Sequence, residues 1–323
     1  MRSGDSLTSG VIVLRDLRSS SDEDWFARVE TLGNREGFFQ RLGQDHAALF
    51  VRRKPTLIVT FETTESILHR QPDQLPFGLA ASEMRDCSHL CLIARRDRWY
   101  RAPEVYAFFD RLVDKSFFDD FDQVVFFGAG MAGYAAAAYS VTAPGATVIL
   151  VQPQATLDPG LVGWDVRHSD SRRLNFSDRY GYAPDMIDGA AQVFVIFDPE
   201  QTYDAMHAAL FRKPFTHFLP CRNMGGDLFG ALSRTHVLHS VLASAATGAF
   251  DARLFWTFYR ARRNHIPYLR KLLSRLETDG RPFLGALLAG NVATRLNDAK
   301  FRARAEELRK QLDFNRLRRS RPL

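Results

Sequence analysis

Cysteine is scarce in this chain of 323 residues: Cys87, Cys91 and Cys221 are the only three. An odd, small number builds no disulfide framework and points to a reducing compartment. The amino terminus, Met1-Arg-Ser-Gly-Asp-Ser, has no apolar stretch behind a basic start, so no signal peptide is read there. No run approaches the roughly 18 apolar residues of a membrane span. A cytoplasmic location with no transmembrane segment is the expectation. Net charge is also small, +6, and all of it is local. Residues 295–323 hold ten basic and four acidic side chains, which leaves the remaining 294 residues neutral. Such a tail is either a solvated helix face or a surface for an acidic protein, lipid or nucleic-acid partner. Only Phe301 and Phe314 are interleaved with its charges, which argues against a platform for single-stranded nucleic acid.

Phenylalanine is abundant, with 26 residues, and 46% hydrophobic against 25% charged residues is ordinary for a globular protein. The length suits one large α/β domain with an appendage. Ser21-Asp-Glu-Asp caps a helix through about Leu32, after an arm over residues 1–20 that carries one apolar run, Val11-Ile-Val-Leu14. Strands are predicted at Phe38–Gly43, Ala47–Val51, Thr56–Phe61, His89–Ala94, Ala146–Val151, Val193–Phe197 and Thr216–Pro220. A helix spans about Pro103–Phe118. The continuous apolar run at Thr56–Phe61 suggests a strand buried on both faces. Alternation of strands and helices predicts a mostly parallel, doubly wound sheet. From about Leu228 the pattern is purely helical, with segments near 228–247, 251–263, 266–278, 283–296 and 299–312. The expected organisation is an N-terminal extension (1–50), an α/β domain (51–248) and a basic helical region (249–323).

The most informative stretch is Val124-Val-Phe-Phe-Gly-Ala-Gly-Met-Ala-Gly-Tyr-Ala-Ala-Ala-Ala-Tyr139, a strand running through three glycines into a helix. Gly128, Gly130 and Gly133 meet the dinucleotide fingerprint G-x-G-x-x-G. That fingerprint normally follows the first strand of its domain, with an acid about 20 residues on for the ribose. Here at least two buried strands precede it, and the next strand ends in Val151-Gln152 with no acid. A nucleotide-dependent oxidoreductase using NAD(P) or FAD is therefore the alternative reading rather than the first.

The same stretch is similar to the nucleophile elbow G-x-S-x-G. From about Leu57 to Gly248 the sequence resembles the α/β-hydrolase superfamily, and Gly128-Ala-Gly-Met-Ala-Gly-Tyr-Ala-Ala matches its G-x-S-M-G-G-Y-A-A. The resemblance implies an α/β-hydrolase-like sheet with the triad acid after Val193–Phe197, at Asp204 or Asp198. It places the histidine loop at Cys221-Arg-Asn-Met-Gly-Gly-Asp227. Two positions depart from the pattern. Gly130 stands where the serine belongs, and Gly225-Gly226-Asp227 replaces the Gly-His pair. A serine mechanism needs a hydroxyl and a base within hydrogen-bond reach. With both gone, the expectation is a degenerate, non-hydrolytic member with a binding or assembly role and no cofactor, Asp204 being the remnant acid.

The turn itself offers backbone N–H groups and the positive end of a helix beginning near Met131, so an anionic small molecule is the expected ligand. Gly128, Gly130, Met131, Gly133 and Asp227 are the expected lining. The charged insert Arg167–Arg173 and Ser177–Tyr182 is expected to roof it. Cys87, His89 and Cys91 share one strand face but lack a fourth ligand for structural zinc, so buried core is the reading and no metal is expected. His207 is placed to donate to Asp204, and His236 and His239 are read as partly exposed. Cys221 and Ser233 are the remaining nucleophile candidates. A phosphoadenosine-phosphosulfate reductase is a remote alternative without support, because its Ser-Gly-Gly-x-Asp-Ser loop and C-terminal catalytic cysteine are both missing.

Overall fold

The computed structural model describes residues 21–70, 73–83 and 85–319, so the arm with Val11–Leu14 and the last four residues lie outside the described part. Helix α1 (Asp22–Glu36) starts where Ser21 accepts the Asp24 N–H, carries three acids in its first turn, and runs on to Gly37. Acids suit the positive end of a helix, which is why the chain turns helical here. Strands β1 (Gly37–Leu42) and β2 (His46–Val51) form an antiparallel hairpin. Then follow β3 (Lys54–Thr63), two short helices absent from the sequence reading, α2 (Thr64–Arg70) and α3 (Phe77–Glu83), and β4 (Cys87–Ala94). Helix α4 (Pro103–Asp114) begins on a proline, which fits the first turn, and buries Val105, Phe108, Phe109 and Leu112. It ends earlier than Phe118, and a separate 3-10 turn covers Phe117–Asp120.

Strand β5 (Gln123–Ala129) leads into α5 (Met131–Tyr139), and β6 (Thr147–Val151) follows. Short helices α6 (Pro159–Val162) and α7 (Ala183–Met186) lie in the long connection to β7 (Gln192–Phe197). Helix α8 (Thr202–Leu210) and β8 (Thr216–Pro220) complete the sheet. Its strand order is β1-β2-β4-β3-β5-β6-β7-β8, with β2 antiparallel to both neighbours and every pair from β4 to β8 parallel. The expected central position of residues 56–61 holds: β3 pairs with both β4 and β5, and Leu57 to Phe61 are buried.

Side chains alternate across the sheet, so each strand feeds two cores. One face sends Leu57, Val59, Phe61, Leu90, Phe126, Val148 and Val195 against α4 and α5. The other sends Ile58, Val125, Phe127, Ile149 and Phe194 against α3 and the helices that follow β8. Those helices are α9 (Leu228–Arg234), α10 (Val237–Ala245) and α11 (Ala252–Phe258). The segment read as one helix over 228–247 is broken at His236, whose φ of 57° is left-handed. Phe255 and Tyr259 belong to the sheet's own core, which therefore continues past residue 248. A separate cluster forms among α12 (Ile266–Thr278), α13 (Pro282–Leu296) and α14 (Ala299–Arg319), built on Leu269, Ala289, Val292 and Phe301.

Candidate functional site

Parallel sheets bind ligands beyond the carboxyl ends of their strands, at the point where the strand order reverses. Here that point lies between β3 and β5: the chain moves outward from β3 to β4, then returns to β5 on the other side. A cleft of about 320 Å³ opens there, between the end of β3 (Glu62, Thr63) and the end of β5 (Ala129, Gly130). The expected residues Gly130, Met131 and Asp227 line it, whereas Gly128 and Gly133 lie within the strand and helix beside it.

Gly130 caps α5 with φ 56° and ψ −124°, a backbone conformation that side chains rarely tolerate. Its N–H donates to Val151 O at 2.9 Å, which fixes the turn against β6. Apart from its chain neighbours, the nearest heavy atom to an added Cβ would be Gln154 Oε1 at 3.9 Å, so the seat is strained but roomy. Gly128 is the opposite case. A Cβ there would stand 2.0 Å from Ala132 O, so this glycine is what lets α5 press onto β5.

Asp198 directly follows β7 and is fully buried; its Oδ2 accepts the Gly225 N–H at 2.8 Å, clasping the loop after β8. Asp204 sits farther on, within α8, where it accepts from Gln152 at 2.7 Å and from Arg167 at 2.6 Å and does not line the cleft. Asp227 ends the loop after β8 and caps α9, its Oδ1 accepting the Gly230 N–H at 3.1 Å. The fold is α/β-hydrolase-like.

Among solved structures, 86 chains match this one. A capsule O-acetyltransferase of Neisseria meningitidis serogroup A is similar with a TM-score of 0.41 and 13% identity, covering 59% of this chain and 88% of that one. A putative esterase from Staphylococcus aureus has a TM-score of 0.41 and 14% identity over 75% of this chain and 97% of its own. A Pyrobaculum calidifontis esterase has a TM-score of 0.42 and 14% identity over 64% and 82%. No protein-family model and no curated protein sequence matches the chain.

Several expectations about the site need correction. The charged insert does not roof the cleft, because none of its residues lines it. Arg167 is held instead by Asp165 and Asp204, and Tyr180 by Asp110. His207 does not meet Asp204; its Nε2 lies 3.0 Å from Asp165 Oδ2, and its Nδ1 accepts the Ala155 N–H. Burial favours the neutral imidazole and lowers its pKa, with Asp165 opposing. Cys221 is fully buried and burial drives its thiol pKa up, so it offers no accessible thiolate. Glu62, Glu65 and Asp227 are among the described residues that line the cleft. Gln152, the residue available to a ribose, has both amide ends engaged: Nε2 with Asp204 and Gly226 O, Oε1 with the Leu228 N–H.

The sequence reading missed the floor and one wall. Glu62 accepts the N–H groups of Phe77 (2.7 Å) and Gly78 (3.0 Å) and the Thr60 hydroxyl. Burial pushes its carboxyl pKa up, and those hydrogen bonds pull the other way. Behind it, Thr60 Oγ1 lies 2.9 Å from His89 Nε2. Glu62, His89 and Cys91, rather than Cys87, His89 and Cys91, bring their ligand atoms within 4.8 Å of one another. Within this cluster Glu62 Oε1 accepts from the Thr60 hydroxyl and the Gly78 N–H. Ser66 and His69 on α2 also line the cleft, together with Phe61, Phe77, Phe127 and Phe229. No local motif marks these residues; they converge only because β3, α3 and α9 do.

No helix among the described residues is long and apolar enough to cross a membrane. Part of the basic C-terminal charge is used internally: Arg295 bonds Asn264 and Arg263 O, and Arg304 pairs with Glu277 and Glu307.

Proposed function

We propose that this chain is a degenerate α/β-hydrolase-fold protein that binds a small molecule at the elbow cleft and does not hydrolyse esters. The observation that carries this reading is Gly130, which keeps the strained elbow geometry while offering no nucleophilic atom. The second support is Asp227: the loop after β8 ends on a helix cap and not on an imidazole. The imidazole that does line the cleft, His69, sits three residues from Ser66 on α2, and no hydrogen bond joins the two side chains among the described residues. A serine without a bonded base is a weak nucleophile. The roomy seat, its position at the strand-order reversal and the aromatic lining suit a binding pocket.

The decisive measurement is turnover of short acyl esters such as p-nitrophenyl acetate. The expected result is a rate no higher than the uncatalysed one. Clear turnover that Asp204→Ala or Ser66→Ala abolishes would overturn the reading. Titration with NAD(H), NADP(H) and FAD tests the dinucleotide alternative, which would show a saturable thermal shift that Gly130→Ala removes.

The basic C-terminal helices add an assembly surface for a polyanionic partner. Residues 252–276 contain seven lysines and arginines and no acid, and Arg253, Arg260, Arg263 and Arg270 are exposed. Association through such a face falls steeply with salt, which makes the salt slope the measurement to take.

A further inference from the structure

We infer that the outer surface of the helical C-terminal region docks on an anionic lipid bilayer, with Trp256 and an apolar turn of α13 entering the headgroup layer between arginines. The inference rests on the reading of these helices as a surface for a polyanion and names the partner. Three observations carry it.

The first is a ridge along α11 and the 3-10 helix that follows it, Tyr259–Asn264. Residues three or four apart share one side of a helix, and in a 3-10 helix those three apart eclipse. Arg253, Trp256, Arg260 and Arg263 therefore stand in one row, and all four are exposed. The opposite side, Phe255 and Tyr259, is buried in the core shared with the sheet. Arg262, out of phase, folds back over the Tyr259 ring. The three arginine side chains of the row form no ion pair among the described residues, and no acid occurs between Ala252 and Leu276. Asp251, just before the row, is engaged as the N-cap of α11, its Oδ1 accepting the Leu254 N–H at 2.7 Å. Like charges held in a row repel one another, and an anionic surface relieves that cost.

The second is the continuation of this row onto α13. Arg295 donates to Asn264 Oδ1 and to Arg263 O, which brings a fourth guanidinium to the end of the row. At about 100° per residue, Leu284, Leu287, Asn291 and Arg295 fall on one face of α13, and all four are exposed. Arg295 Nε also donates to Asn291 Oδ1 at 3.4 Å, one turn back along that face. The other face, Ala286, Ala289, Val292 and Ala293, is buried against α12 and α14. Helix α13 contains no acid. The two acids shortly before it, Glu277 and Asp279, pair with Arg304 and Arg275, and Asp298 after it accepts the Phe301 N–H at the start of α14.

The third is the apolar material among the charges. Nine large apolar side chains are exposed among the described residues, and four of them belong here: Trp256, Phe283, Leu284 and Leu287. Trp256 is the exposed one of the four tryptophans, braced against Phe255 and Tyr259 with ring centroids 5.1 and 5.6 Å away. The phosphates of a nucleic acid would satisfy the arginines and leave the leucines in water, and one indole is no run of stacking platforms. A bilayer surface takes both kinds of side chain. Tryptophan and leucine sink to the boundary of headgroups and acyl chains, while arginine reaches the phosphates on a long apolar stem. Apolar burial and headgroup attraction then add.

Co-sedimentation of the full chain with vesicles of equal parts phosphatidylcholine and phosphatidylglycerol tests the inference, with pure phosphatidylcholine vesicles, heparin and duplex DNA as comparisons. Expected are saturable binding to the mixed vesicles, little to the pure ones, and release by salt. The double variant Arg260→Gln/Arg263→Gln is expected to weaken vesicle binding at least about tenfold. Leu284→Ser/Leu287→Ser is expected to weaken it several-fold and to leave heparin binding unchanged. Lipids brominated on their acyl chains are expected to quench the fluorescence of the parent more than that of Trp256→Phe. Should the leucine pair lower the melting temperature, that quenching comparison decides in its place. Tighter binding of DNA or heparin than of mixed vesicles, with the leucine pair without effect, overturns the lipid assignment and leaves the polyanion reading standing. Vesicle binding without quenching of Trp256 overturns the inference as well. Binding to none of the three polyanions overturns the inference and the polyanion reading together.

Discussion

Gln152 donates its side-chain amide to Asp204 over 2.7 Å, and the same amide accepts the Leu228 N–H at 3.0 Å. One side chain thereby ties the end of β6 to α8 and to the start of α9. It holds this post with a φ of 48°, left-handed for a residue with a Cβ. The strain is tolerated because three partners over-determine the position.

Gln152→Ala leaves Asp204, Gly226 O and the Leu228 N–H each short of one bond. Because the region is only partly buried, water repairs some of the loss, and a destabilisation of about 2 kcal/mol is expected. Urea denaturation reads it as a lower midpoint at unchanged slope. Cleft binding should fall with it, since Gln152 and Asp227 both line the cleft.

The two glycines flanking Ala129 separate strain from collision. Gly130→Ala costs the positive φ alone, about 1–3 kcal/mol, because nothing but Gln154 Oε1 lies within 4 Å of the new methyl. Gly128→Ala drives a methyl to 2.0 Å from Ala132 O and has no flexible neighbour to displace. Comparative thermal melts should show Gly128→Ala as the more damaging by a clear margin, although only Gly130 has an unusual φ. Equal effects would mean that α5 can slide off β5.

This contrast shows why the elbow was legible in the sequence and the rest of the cleft was not. Strand, glycines and helix are contiguous from Val124 to Tyr139, and hydrophobic runs such as Thr56–Phe61 report burial directly. The short helices α2 and α3 carry too few turns to show a period. Glu62 takes its meaning from Phe77 and Gly78, 15 and 16 positions away. His207 has Asp204 three residues away in sequence, yet its partner is Asp165, at a separation of 42. Local spacing found a neighbour; the fold supplied a better one. The carboxylates beside the cleft are gathered in the same way, from β3, α2 and the loop after β8, where no local motif announces them.

His46 gives a pH dependence. It is 2% exposed, neither ring nitrogen has a partner, and burial lowers its pKa to about 4. A histidine whose pKa is lowered in the fold is bound neutral, so the unfolded chain takes the proton first. Its contribution is complete above the unfolded value near 6.5 and is lost progressively as pH falls toward about 4, at about 1.4 kcal/mol per pH unit. His89, lowered to about 3 by burial, adds a parallel slope. His46→Phe removes the first contribution and keeps the ring contact with Tyr100, whose centroid lies 5.5 Å away. The variant should be at least as stable as the parent at neutral pH and lose less stability between pH 6.5 and 4.5. A parent-like slope would place the titration elsewhere.

Asp165 gives the opposite case. It is 1% exposed and takes hydrogen bonds from Arg167 and His207. Burial alone would raise its pKa, but the bonds from the Arg167 side chain and backbone and from His207 outweigh it and hold the carboxyl well below the usual range. A depressed carboxyl stabilises the fold above its unfolded pKa, near 3.9, and that stability disappears as pH falls through the folded value. Asp165→Asn should therefore cost about 3 kcal/mol at pH 7, because Arg167 and the buried His207 each lose an ionic acceptor. The difference between variant and parent should shrink on acidification below pH 4. Denaturant titrations at pH 7 and pH 3 measure both. Constancy of the difference across that range would mean that Asp165 acts through packing against Trp164 and His207, whose rings lie 4.6 Å apart, and not through its charge.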